Sequence, residues 1–325
     1  MATENASGAG VQSRGRRVAS AGARGLAGVG MLLLACGAAA CGGEEDGGTG
    51  SLRVRVSGEG AARDGYPYVE QGVEIRFGDG WSIAFRKYLV SFGDIEVAGL
   101  DGEVGSASGA RYVADLHTGD PTAEEIEGLA ARRWDSVSFS VVEAGEESVA
   151  LEGVSGEDLS LMKAGGFTFY IDGEATHAER GRFDFTWGIV NPTRNRNCTN
   201  GLDGTDGVIV RPSATTEAEL TFHVDHLFWD TLGAEQSQLR FDPMWGANKD
   251  GDTTITFQEL AGQRLADLTD PEGEPLRDEA GQALVYNPGS IPLPDKNLQE
   301  FVRVSAASQA HLNGLGLCSV QALKR

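Results

Sequence analysis

Leu52-Arg-Val-Arg-Val56 and Asp135-Ser-Val-Ser-Phe-Ser-Val141 alternate apolar and polar side chains residue by residue. Successive side chains of a strand point to opposite faces, so a period of two marks strands with one buried and one wet face. Val73-Glu-Ile-Arg-Phe77 repeats the pattern. Further strand candidates lie at 81–97, 112–116, 167–171, 183–190, 208–211 and 218–223. Gly-, Asp- and Ser-rich breaks separate them at short spacing, which is the signature of an antiparallel sandwich or barrel. No repeating strand–helix–strand unit is present, so no parallel sheet is expected.

Working outward, the stretch before the first strand reads as a processing signal. Arg14, Arg16, Arg17 and Arg24 lead into Gly25-Leu-Ala-Gly-Val-Gly-Met-Leu-Leu-Leu-Ala35 and then Ala38-Ala39-Ala40-Cys41. The apolar run is too short to span a bilayer, and its flanks match a secretory signal. A Cys after small residues resembles a bacterial lipobox, which implies a diacylated N-terminus in the cell envelope, at the outer membrane rather than the inner. Cys36 and Cys41 compete for this role. Cleavage at Cys41 leaves Cys198 and Cys318 as an even pair in an oxidising compartment, whereas cleavage at Cys36 leaves Cys41 as an odd thiol. Cys41 is the expected lipidation site, and Cys198–Cys318 the expected disulfide. The division expected is 1–40 signal, 41–51 Gly-rich acidic tether, 52–224 sandwich and 225–325 C-terminal region.

Beyond residue 223 the pattern changes. Asp225 precedes His226-Leu-Phe-Trp229 as an N-cap would. The segments 236–247, 256–268 and 297–312 can be helical, as can 122–132 earlier in the chain, and 269–294 reads as a loop. The fold class expected is mainly β: an antiparallel β-sandwich with a C-terminal helical appendage.

Asn248-Lys-Asp-Gly-Asp-Thr-Thr-Ile-Thr-Phe-Gln-Glu259 resembles the twelve-residue calcium loop of EF-hand proteins. Asn248, Asp250 and Asp252 supply oxygens at positions 1, 3 and 5. Thr254 would give its backbone carbonyl, Thr256 could hold a water, and Glu259 could bind through both oxygens. A hard cation needs six or seven converging oxygens, which alternate residues of a tight loop can provide. Thr253 stands where Gly is usual, a position at which a β-branched residue is strained. The alternative is an acidic turn between two helices. Asp203-Gly-Thr-Asp-Gly207 has no distal Glu and reads as a turn.

His223-Val-Asp-His226 with His311 forms a second constellation. Nitrogens three residues apart on a helix, or His223 with Asp225 on a strand, suit a transition metal. The structural alternative has Asp225 capping a helix, His223 ending a strand and His226 in the core. His117 and His177 stand alone.

With 325 residues, 40% of them apolar and a formal net charge of −21, the chain can bury a core and should attract cations. The charge excludes nucleic acid, whose binding depends on Lys and Arg clusters. No nucleophile elbow, zinc-protease helix, phosphate loop or Cys-x-x-Cys is present, so no catalysis is expected.

Trp81-Ser-Ile-Ala-Phe-Arg-Lys-Tyr-Leu-Val-Ser-Phe-Gly-Asp-Ile-Glu-Val97, Tyr112-Val-Ala-Asp-Leu116, Trp134-Asp-Ser-Val-Ser-Phe139 and Gly166-Phe-Thr-Phe-Tyr-Ile-Asp-Gly173 carry a family resemblance. Over about residues 52–224 the chain resembles the methanobactin-associated copper-binding protein (MbnP-like) family. The resemblance implies a periplasmic or surface β-sandwich, in some members binding copper through His and an oxidatively modified Trp. It assigns no ligand residue by residue. The functional expectation is a lipid-anchored extracytoplasmic protein binding calcium at 248–259 and copper through the sandwich. The alternative is a surface interaction or adhesion module in which calcium only stiffens the fold. The membrane, through the lipid, and metal cations are the expected partners; the sequence names no protein partner.

Overall fold

The computed structural model describes residues 47–70, 72–233 and 237–324. The signal sequence, Cys36 and Cys41 lie outside them. No helix among the described residues is long and apolar enough to cross a membrane.

Two sheets carry the fold. The four-stranded sheet runs Ala310–Leu312, Thr215–Phe222, Thr49–Ser57, Thr122–Ala130. The ten-stranded sheet is built around the long strand Ser82–Ala98. On one side of it lie Phe169–His177, Gly181–Ile189 and Thr254–Thr256, and on the other Ser136–Val141, Thr193–Arg196 and Ser319–Ala322. Val104–Ala107 and Arg111–Asp115 pair with further stretches of Ser82–Ala98. The alternation seen in the sequence is realised: Leu52, Val54 and Val56 are buried, while Arg53 and Arg55 face outward. Arg53 sits opposite Glu217 on one neighbour and Glu125 on the other, at 3.4 and 3.3 Å. Such exposed pairs add little energy but suit the register.

The sheets meet through aromatic rings. Phe222 of the four-stranded sheet lies 6.2, 6.3 and 6.2 Å from Phe92, Phe139 and Phe169 of the other. A second aromatic cluster joins Phe185 and Trp187 to Phe228 and Phe241 at 5.2–6.4 Å between centroids. Edge-to-face and tilted pairs of this kind add to the burial energy. The last two residues come from the region beyond 223, so that region shares the sandwich core.

Several expectations are corrected. The segment 122–132 is the strand Thr122–Ala130, because antiparallel pairing with Thr49–Ser57 outweighs its Ala- and Glu-rich helix propensity. Three strand-to-strand pairings run parallel among the described residues: Thr49–Ser57 with Thr215–Phe222, Gly181–Ile189 with Thr254–Thr256, and Arg111–Asp115 with Ser148–Ala150. The expected helix at 236–247 shrinks to Asp242–Trp245, and that at 256–268 to the 3-10 turn Glu259–Gly262. The last expected helix ends early. Leu298–Ser305 is capped by the Asn297 side chain, which accepts the Glu300 N–H at 2.9 Å; a 3-10 turn follows, and then the strand Ala310–Leu312. The expected tether also ends sooner, since the first strand begins at Thr49.

The Cys198–Cys318 disulfide is present and spans 120 residues of sequence. It stands where Thr193–Arg196 pairs with Ser319–Ala322, and so ties the C-terminal chain to the sandwich.

Candidate metal centre

The strand Thr215–Phe222 ends one residue before His223, which is still extended and opens the 3-10 helix Val224–Phe228. A 3-10 helix has three residues per turn, so side chains at i and i+3 eclipse. The rings of His223 and His226 accordingly stack, with centroids 5.5 Å apart and planes 13° apart. His311 arrives from the neighbouring strand, paired opposite Thr221. Its ring stands edge-on, 4.6 Å from His223 and 5.5 Å from His226. Three of the five histidines of the chain are thereby gathered at one end of the four-stranded sheet.

Hydrogen bonds fix which nitrogen of each ring is bare. Ser308 Oγ donates to the Ser305 carbonyl at 2.8 Å, so it accepts from His226 Nδ1 at 2.9 Å. In a neutral imidazole this leaves Nε2 of His226 without a proton. His311 Nε2 donates to the Ser308 carbonyl at 3.0 Å, and its Nδ1 is buried with no hydrogen-bond partner. His223 Nε2 donates to the Gly314 carbonyl at 3.1 Å, and its Nδ1 faces Glu59 Oε2 at 3.4 Å. Two lone pairs facing at that distance call for a proton or a cation between them. One ring nitrogen held by a protein acceptor and the other left bare is the arrangement metal-ligating histidines adopt. As the rings stand, no group of three His, Cys, Asp or Glu among the described residues is placed to hold a metal ion.

The electrostatics favour the neutral forms of His226 and His311. Burial, followed by the charge of His223, holds His311 down at about 4, and burial lowers His226 well below its ordinary value. Burial pushes the Glu59 and Asp225 carboxyls up, against the opposing pull of His223. Asp225 is not the helix cap expected of it. That position belongs to His223, and Asp225 lies in the first turn. Trp229 packs its ring on His226 at 3.6 Å, and Trp229, Ser308 and Glu59 are neighbours that no sequence spacing identified.

Two hollows flank the cluster. One, of about 520 Å³, is lined by Glu59, Glu70, Asp225, Tyr68 and His223. The other, of about 820 Å³, is largely apolar and is lined by His226, His311, Trp229, Leu232, Val304 and Leu317 among others.

The acidic loop lies elsewhere, at the edge of the ten-stranded sheet. Its Thr254–Thr256 strand pairs with Gly181–Ile189, and the Ile255 carbonyl accepts the Trp187 indole N–H at 3.1 Å. Asn248 is buried, accepting Gly251 N–H at 3.1 Å and donating to the Asp252 carbonyl at 2.8 Å. Asp250 accepts Asp252 N–H at 3.1 Å, and Asp252 accepts Thr254 N–H at 2.7 Å. Glu259 Oε2 takes the Thr256 N–H and hydroxyl at 2.6 and 2.5 Å, as in one half of a capping box, while Oε1 is buried without a partner. The expected strain at Thr253 is absent. The left-handed residue is Gly251 (φ +81°), which turns the chain two residues earlier and lets Thr253 enter the strand, its carbonyl accepting Asp184 N–H at 2.8 Å.

Acid should expose the buried imidazoles. His311 titrates near 4 when folded and near 6.5 when unfolded, so its contribution is whole above pH 6.5 and lost as pH falls towards 4. Asp79 acts in the opposite sense. Burial, then the charge of Asp242, raises it to about 7, so it stabilises the fold as pH falls from 7 towards 4. Each effect is on the order of 3 kcal/mol. Melting curves from pH 4 to 7 are expected to show a steeper acid loss in Asp79→Asn and a shallower one in His311→Asn. Unchanged slopes in both variants would contradict the burial argument.

No family model and no curated protein matches the chain. Among solved structures, MbnP from Methylosinus trichosporium aligns with 85% of this chain and 99% of its own, at 12% identity and a TM-score of 0.28. A likeness at that level carries no argument about function.

Proposed function

We propose that the chain is a metal-binding protein of the bacterial cell envelope, anchored by a lipid at Cys41, with a transition-metal centre at His223, His226 and His311. The observation that supports this best is that His226 and His311 each commit one nitrogen to a protein acceptor and leave the other bare, while His223 turns its second nitrogen to Glu59 at 3.4 Å, in rings whose centroids lie 4.6–5.5 Å apart. Imidazole suits copper, zinc, iron and nickel, and copper(II) binds nitrogen sites most tightly of the divalent series. Copper is therefore the ion proposed, with modest rotation of the rings on binding. Glu59 and Asp225 stand beside His223 as carboxylates that can balance its charge.

A calcium ion at Asn248, Asp250, Asp252, Thr254, Thr256 and Glu259 is the second part of the reading. It is favoured by the buried, unpartnered Glu259 Oε1. There calcium would pin the loop to the sheet edge. At a Kd of about 10⁻⁴ M, ~10 mM calcium would stabilise the fold by roughly 2.7 kcal/mol.

Metal-free protein titrated with copper(II) is expected to bind one equivalent, and His311→Leu to weaken that binding at least tenfold. Glu259→Gln should leave copper untouched and erase the calcium-dependent rise in melting temperature seen over equal magnesium. Calcium binding without copper binding would favour the interaction module. A copper affinity indifferent to His311→Leu would remove the metal centre.

A further inference from the structure

A third hollow, of about 490 Å³, shares only Ile291 with the one beside His226 and His311. It opens where parts of 264–266, 285–288 and 291–296 run side by side. The Leu265 N–H donates to the Lys296 carbonyl at 3.2 Å, and the Leu265 carbonyl accepts the Tyr286 N–H at 3.4 Å, so one residue binds the three segments together. Pro288 and Pro292 fix φ in two of them, so the hollow is formed before anything enters it. Its volume lies in the range of small-molecule pockets. The walls are aliphatic, with Val285 56% and Ile291 41% exposed and Leu293 partly buried. Tyr286 adds only apolar surface, because its hydroxyl is buried.

Charge sets this hollow apart. The chain carries 48 acidic and 27 basic residues, yet no carboxylate lines it, whereas Asp225 lines both hollows beside the histidines. The charged residues of its lining are Arg264 and Lys296. Both are exposed, and among the described residues neither has an ion pair or a side-chain hydrogen bond. Asp267 and Asp295, the nearest acids along the chain, pair with neither.

We infer that this hollow binds the anion of a medium-chain fatty acid. The carboxylate meets Arg264 and Lys296, to which the planar guanidinium brings two parallel N–H groups. The alkyl chain lies on Val285, Ile291 and Leu293. Charge complementarity selects this occupant. An alkylammonium of the same length meets two like charges, and the neutral alcohol gains the apolar contact without the attraction. A bare inorganic anion has the attraction without the apolar contact. The site needs no metal ion and goes beyond the function proposed above.

The test uses the full chain in excess EDTA, titrated calorimetrically with decanoate below its micelle-forming concentration. Saturable uptake of one equivalent is expected, at least tenfold tighter than that of decanol or decylamine. High salt should narrow the gap, since exposed charges are screened. Arg264→Gln with Lys296→Gln changes two exposed side chains that hold no partner, so the fold is retained. This double variant should bring decanoate down to the affinity of decanol and leave decanol unchanged. Val285→Asp, at a side chain that is 56% exposed, should weaken both. Non-saturable heat, equal affinity of the parent for decanoate and decylamine, or decanoate binding indifferent to the double variant would overturn the inference. Because EDTA is present throughout, failure of the copper titration leaves this result standing, and the reverse also holds.

Discussion

Cys198→Ser, Cys318→Ser and the double variant are each expected to melt about 10 °C below the parent. In the chain-entropy model, a cross-link closing a loop of this length limits the unfolded chain by about 4–5 kcal/mol. For a chain of this size each kcal/mol corresponds to roughly 2–4 °C. The bridge spans 120 residues, and Cys198 is fully buried, so the single variants also leave an unmatched group in the core. Reductant should lower the parent by the same amount and leave the double variant unmoved. A parent indifferent to reductant, with a double variant melting at the same temperature, would show that the bridge adds nothing beyond the packing around it.

Phe222→Ala is expected to cost about 3–5 kcal/mol, measured by denaturant unfolding. The ring is fully buried and touches Phe92, Phe139 and Phe169 across the sandwich, so its removal leaves a cavity between two sheets that cannot close on it independently. Phe222→Leu should recover more than half of the loss, because most of the volume is restored. A cost below about 1 kcal/mol would mean that the two sheets do not depend on this contact.

The strands that alternate cleanly were legible because burial on one face imposes a period of two, as at Leu52, Val54 and Val56. Thr122–Ala130 was misread because its residues favour helix in isolation, while its partner strand, distant in sequence, decides its state. The C-terminal region was overfilled with helix for a related reason. Pro243 and Gly246 bound Asp242–Trp245, and the apolar residues around it turn into the core one at a time without a helical period. Of the candidate centre, His223, His226 and His311 were legible as residue types. Their convergence depends on the pairing of Thr221 with His311, which leaves no trace in local spacing. Glu59 and Ser308 carried no signal, since each acts through a contact with a residue more than eighty positions away. The disulfide was read from parity alone.

The strand Thr49–Ser57 lies inside its sheet, between Thr122–Ala130 at the edge and Thr215–Phe222, beyond which lies Ala310–Leu312. Its contact with the second, such as that of Arg53 with Glu217, joins residues 164 apart. A chain made from its N-terminus therefore carries its first apolar strand with one edge unpaired until more than half of the polypeptide has emerged. Contacts of such long range slow the folding of a domain. Under the export proposed above, that delay would hold back collapse of the chain while it crosses the membrane as an extended thread. The same interval is when the strand is most exposed to wrong partners, and the outward Arg53 and Arg55 are the charges that keep it soluble meanwhile.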